Sequence, residues 1–92
     1  MPRFFYVYIL RSRLDGRLYT GSTNDLKARL RLHNAGEITS TRPRRPLDLI
    51  FYEAYLNEYD AKPREQYLKS TKGKTTLRTM LKDFFNSSGP TS

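Results

Sequence analysis

The sequence predicts an α+β fold, a small three-stranded antiparallel sheet flanked by helices in the order ββαβαα. Three observations lead to it. Phe4 to Leu10 is an aromatic and β-branched run, long enough for a buried strand and short for a helix. Asp15-Gly16, just after it, is a hairpin signal, because glycine accepts the positive φ that a type I′ turn requires. In the last third of the chain, apolar residues recur at helical rather than alternating spacing.

Taking the elements in order, Arg17 to Thr20 returns as the second strand. With Asp15 and Gly16 as a two-residue loop, Tyr19 opposes Ser12 and so shares a face with Leu10 and Tyr8. A one-residue bulge would separate the two tyrosines. Gly21 to Asp25 is a turn rich in capping side chains, and a helix is expected from about Asn24 to Ala35, stopped by Gly36. Residues 36–46 form a polar loop, since Pro43 and Pro46 rule out a central strand. Leu47 to Leu56 reads as the third strand. Asp60 can cap a second helix running to about Lys72 and ended by Gly73, with Pro63 in its first turn, where a missing N–H costs little. Thr75 or Thr76 opens a third helix, carrying Leu77, Met80, Leu81 and Phe84 at i, i+3, i+4, i+7. A single domain over 1–85 is expected, with 86–92 as a flexible tail.

The chain has 92 residues, enough for one domain that buries roughly 60–65% of its unfolded surface. Its 17 Lys and Arg outnumber 9 Asp and Glu, a net charge of +8 that attracts polyanions, of which a phosphate backbone is the usual one. The absence of cysteine excludes disulfides, thiolate zinc sites and a cysteine nucleophile, and a single histidine excludes a multi-histidine metal site. No apolar run approaches the ~20 residues of a membrane span. A cytoplasmic protein with no membrane partner is expected.

Two charged residues interrupt apolar stripes. Arg29 lies between Leu26 and Leu30 on the first helix, and Glu65 follows Ala61 by four and precedes Leu68 by three on the second. A charge facing a core is expensive unless it is paired or lies at the floor of a cleft. The two could simply pair with each other, or they could line a site.

Tyr6-Val7-Tyr8 and Tyr19-Thr20-Gly21 resemble the paired motifs of GIY-YIG nucleases. The motif tyrosines stand eleven residues apart, Arg29 follows ten later, and Glu65-Gln66-Tyr67-Leu68-Lys69 resembles the family's metal-binding glutamate segment. The resemblance spans roughly residues 4 to 83 and is closest to the small stand-alone bacterial members. This chain departs from the motifs at Tyr6, Val7 and Thr20, which are backbone or packing positions, and Pro63 could alter the aim of Glu65.

The resemblance implies a metal-dependent endonuclease that hydrolyses DNA phosphodiester bonds, structure-selective or weakly sequence-specific, with roles in DNA repair or recombination open to it. One divalent cation, Mg²⁺ or Mn²⁺, suits a lone carboxylate, here Glu65, because hard cations take oxygen ligands and retain waters. Arg29 presents a planar fork of donors to the scissile phosphate. A motif tyrosine, Tyr8 or Tyr19, acts as or assists the general base; the sequence does not choose between them. His33, one turn beyond Arg29, either joins this group or caps the helix end. Lys27, Arg31 and the loop arginines Arg42, Arg44 and Arg45 are expected to hold phosphates, which positions a duplex without reading its sequence. Structured RNA remains open as a substrate, as does a protein partner that supplies specificity. The alternative is a nucleic-acid-binding module without catalysis.

Overall fold

In the computed structural model, residues 3–87 are described. They form a three-stranded antiparallel sheet with strand order β2-β1-β3, where β1 is Phe5–Ser12, β2 is Leu18–Thr23 and β3 is Leu47–Tyr55. The fully buried run from Val7 to Leu10 accordingly occupies the central strand. Helix α1 spans Leu26–Asn34, α2 Glu58–Lys69, α3 Thr71–Met80 and α4 Lys82–Ser87, and a single 3₁₀ turn covers Arg42–Arg44. Among the described residues, no helix is long and apolar enough to cross a membrane.

Strand alternation divides the core into two layers. Val7 and Ile9 pack with Ala61, Leu68 and Leu77 beneath α2 and α3. Tyr8 and Leu10 pack with Leu47, Tyr19, Leu26 and Leu30 beneath α1. The helices bearing Arg29 and Glu65 therefore cover opposite faces of the sheet. Any meeting of their side chains has to happen around the edge strand β2.

The hairpin differs from the sequence expectation in register. Tyr8 pairs with Gly21 and Leu10 with Tyr19, because the turn is longer than Asp15-Gly16 and closes with Ser12 N–H on the Arg17 carbonyl. The Ser12 hydroxyl accepts from the Leu14 and Asp15 amides and so stabilises the wider loop. The slip is two residues, an even number, so Tyr8 and Tyr19 keep their common face. A bulge does occur, but between β1 and β3: Ile9 faces Phe51 and Leu10 faces Leu49.

Helix α1 begins where Asp25 accepts from the Ala28 amide, and its chain leaves through Gly36 at φ 81. Asn34 then clamps α1 to β3, donating to the Leu47 carbonyl and accepting from its amide at 3.0 and 2.8 Å. This clamp fixes the last turn of α1, and with it His33, over the sheet.

The C-terminal half corrects several expectations. Asn57 rather than Asp60 caps α2, accepting from the Tyr59 amide. Pro63 consequently lies inside the helix, in its second turn. Gly73 does not end α2; it is buried in the first turn of α3, whose cap is Ser70. A Cβ there would overlap the Tyr67 carbonyl, so glycine is required by the close crossing of two helices. The helix expected from Thr75 or Thr76 starts at Thr71 instead, and it gives way to α4 after Leu81. Of its apolar stripe, Leu77 is buried while Met80 and Phe84 are exposed. Asn86 and Ser87, expected in the tail, belong to α4; residues 88–92 lie outside the described residues.

Candidate active site

The buried end of the site is a chain of polar groups running from the loop to the sheet. His33 is fully buried, with Nε2 2.9 Å from the Tyr8 hydroxyl and Nδ1 2.7 Å from the Thr41 hydroxyl. The Thr41 hydroxyl also faces the Ile38 carbonyl at 3.5 Å. In the tautomer whose Nδ1–H donates to Thr41, Nε2 accepts from Tyr8. His33 is thus a member of the tyrosine cluster rather than a helix-end cap. Burial, followed by the nearby Arg29 charge, holds its pKa below 6.5, so it is neutral at physiological pH.

Tyr8 and Tyr19 lie side by side, with ring centroids 6.4 Å apart. Tyr19 meets the His33 ring edge-on at 5.1 Å. Burial pushes the Tyr8 phenol well above its usual 10.0; Tyr19 and Glu65 add to that, while Arg29 opposes it. Tyr8 is a proton donor at rest. Gly21, opposite Tyr8, makes this possible, because a Cβ there would overlap the Tyr8 hydroxyl and lie 2.6 Å from Cζ. The glycine of the second motif is a clearance for a ring.

Glu65 approaches from the other layer. Ser22, the residue after Gly21 and on the opposite sheet face, donates to Glu65 Oε1 at 2.8 Å. Lys69, one turn later on α2, stands 3.1 Å from Oε2. The Glu65 side chain is 15% exposed against 48% for Lys69, so the lysine is the movable partner. Gly21 and Ser22 are adjacent on the edge strand, one under the tyrosine hydroxyl and the other holding the carboxylate. The charges of both Glu65 and Arg29 reach the Tyr8 hydroxyl. Arg29 is half-buried, and among the described residues its guanidinium has no hydrogen bond or ion pair. The simple Arg29–Glu65 pair that the sequence left open is not formed.

No group of three or more His, Cys, Asp or Glu able to hold a metal occurs among the described residues. The donor set is one carboxylate with the Ser22 hydroxyl beside it. That fits a hard cation which keeps most of its waters, and it does not fit zinc or an all-protein calcium cage. A cation on Glu65 would displace Lys69 from Oε2.

The basic residues singled out in the sequence are dispersed. Lys27 and Arg31 are exposed on α1, Lys27 lining a shallow concavity with Tyr6 and Tyr52. Arg42 donates to the Gly36 carbonyl at 2.7 Å and Arg45 to the Arg42 carbonyl at 2.9 Å, so both guanidinium groups brace their own loop while remaining exposed. Arg44 turns inward toward the hairpin, donating to the Leu18 carbonyl at 3.4 Å. They do not form a single grip.

Sequence reasoning missed Ser22 and Thr41. Ser22 was legible as the residue beside the motif glycine, pointing the opposite way from the tyrosines. Thr41 had no signal: it reaches His33 across a loop, eight residues on. Lys69, seen in the sequence only as the end of the glutamate segment, holds the carboxylate.

Comparison with known proteins agrees with the fold. A family model described as the GIY-YIG catalytic domain matches residues 4–78. A UPF0213 protein of Clostridium perfringens is 45% identical over 65 residues, covering 70% of this chain and 69% of that protein. One from Pediococcus acidilactici is 39% identical over 77 residues, covering 80% and 78%. The solution NMR structure of a UPF0213 protein from Bacillus halodurans superposes with a TM-score of 0.54 at 34% identity, covering 84% of each chain.

Proposed function

This chain belongs to the GIY-YIG family, a membership that points to nuclease activity in general, and on that premise we propose that it is a metal-dependent endonuclease hydrolysing DNA phosphodiester bonds. The observation that carries the proposal is the Tyr8–His33–Thr41 chain set beside an unpaired Arg29 and a shielded Glu65. Phosphodiester hydrolysis needs a base for the attacking water, charge stabilisation on the phosphoryl oxygens and help for the leaving oxygen. Arg29, free of carboxylate partners, binds the scissile phosphate and opposes its growing charge. Glu65, with Ser22 beside it, would hold one Mg²⁺ or Mn²⁺. When bound, that ion supplies Lewis-acid stabilisation of phosphoryl and leaving oxygens.

The base follows from relative acidities. Transfer of the Tyr8 proton to His33 is uphill by about 5 kcal/mol from the ordinary values of 10.0 and 6.5 alone, and both shifts widen the gap. A free phenolate is therefore not an intermediate. The Tyr8 oxygen takes the water proton as its own proton passes to Nε2, while the water oxygen bonds to phosphorus and the leaving oxygen departs. Tyr8 is the relay, His33 the acceptor and Thr41 the group that fixes the tautomer. Tyr19 presents its ring to the pair and lines the approach.

With the basic residues singled out in the sequence dispersed and no helix of recognition type among the described residues, selectivity comes from DNA structure more than sequence, which suits repair or recombination intermediates in the cytoplasm; a protein partner that adds specificity is compatible with this. One observation favours a second reading: both Glu65 oxygens already have protein partners, which suits a binding module without catalysis, on DNA or structured RNA.

Nicking of supercoiled plasmid and branched oligonucleotides tests the proposal. We expect products with Mg²⁺ or Mn²⁺ and none with a chelator. Because the His33 pKa is depressed, the acceptor stays neutral as pH falls, so the rate holds to below pH 6.5 and declines only as His33 finally protonates. Complete absence of metal-dependent product on every substrate favours the binding module. A midpoint at or above 6.5 removes His33 from the acceptor role.

A further inference from the structure

A second basic feature lies beyond the catalytic cluster. Arg17, Arg44, Lys74 and Arg78 converge with Leu18 on a concavity of about 340 Å³. The residues come from the hairpin, the proline loop and α3, so sequence separation hides the grouping. Among the described residues, no acidic side chain lines it. The Asp15 carboxylate is 3.9 Å from Arg44 Nε, and that buried Nε–H has no hydrogen-bond partner among the described residues. Four like charges around one hollow repel one another, a cost that an anion relieves.

The hollow adjoins a second one of about 230 Å³, lined by Leu18, Tyr19, Thr20, Lys69 and Lys74. The two share Leu18 and Lys74. The second reaches Tyr19, beside His33, and Lys69, the partner of Glu65. A continuous cationic track therefore runs along the edge strand from the catalytic cluster to the four-cation hollow.

We propose that this hollow is a phosphate-binding subsite for the nucleic-acid strand, seating a backbone phosphate beyond the one that is cleaved. The inference rests on the nuclease reading for its direction but not for its existence. A linear polyanion is the occupant that matches both halves of the observation, four cations at one point and further cations leading to the site. A small carboxylate ligand would use the hollow alone and leave the track unexplained.

The test is the salt dependence of binding to a 20-base-pair duplex in EDTA, where cleavage is stalled. Arg17, Lys74 and Arg78 are exposed, so their joint replacement by alanine preserves the fold; Arg44 is left in place because it braces the hairpin. A charge-matched control replaces the exposed Lys62, Lys72 and Lys82 by alanine. We expect the first triple variant to bind at least about tenfold more weakly, with a log–log salt slope shallower by about 1, since one phosphate contact contributes about 0.9 on duplex DNA. The control should stay within about threefold. Equal losses in both variants, or no loss in the first, overturn the subsite. Nicking by the wild-type protein is scored separately. Nicking without the difference between triples sinks the subsite alone, and the difference without nicking sinks the nuclease reading alone.

Discussion

Glu65→Gln is expected to abolish metal-dependent nicking, by about 10³-fold or more, while the protein stays folded and still binds duplex DNA. The amide is nearly isosteric and can still accept from Ser22, so the change removes charge and little else. Loss of one preorganised electrostatic group in a catalytic site usually costs about 10²–10³, and here the same residue would also be the carboxylate that holds the cation. Lys69 loses its partner but is half exposed, so the structural penalty is small. Steady-state nicking with Mg²⁺, alongside circular dichroism and a binding titration, separates the effects. A variant that nicks within tenfold of wild type would show that Glu65 is only the lysine's partner.

The second large effect is on stability. Gly73→Ala is expected to destabilise the fold by about 3 kcal/mol or more, the upper part of the range for overpacking, because the new methyl meets backbone that cannot rotate away. Either α3 separates from α2 or the Ser70 cap is lost, and Leu77 is unpacked from the core in both cases. Of a domain stability of about 5–15 kcal/mol this is a large share. Urea unfolding should show the midpoint falling by on the order of 2 M. Thr75→Ala, exposed on the same helix, should stay within about 0.5 kcal/mol of wild type. Similar midpoints for the two variants would mean the helix crossing is looser than described.

These two residues also mark where the sequence was readable. The period-two pattern of the first strand survived an error in the turn, since the slip was even and the tyrosine face was conserved. Arg29 and Glu65 were visible because each breaks an apolar stripe that the fold does form. Gly73 was misread: a glycine after a helical run suggests a stop, and only the position of the preceding helix reveals a close approach. Pro63 was misplaced for a related reason, because Asn57 and Asp60 are both capable caps and local chemistry does not rank them. The histidine's role depends on Thr41, and the carboxylate's on Ser22, contacts that span a loop and two layers of the fold. Local pattern carries no signal for either. Likewise the loop arginines looked equivalent in sequence, whereas Arg44 alone turns into the four-cation hollow.

Glu65 comes from one side of the sheet and Arg29 from the other, so the account depends on their meeting around β2. Paramagnetic broadening by Mn²⁺ in the NMR spectrum reads that meeting directly. Broadening should centre on Ser22 and Glu65, extend to Tyr8, Arg29 and His33, and vanish in Glu65→Gln. Broadening that spares Tyr8 and Arg29, or that persists without the Glu65 carboxylate, would contradict a shared site.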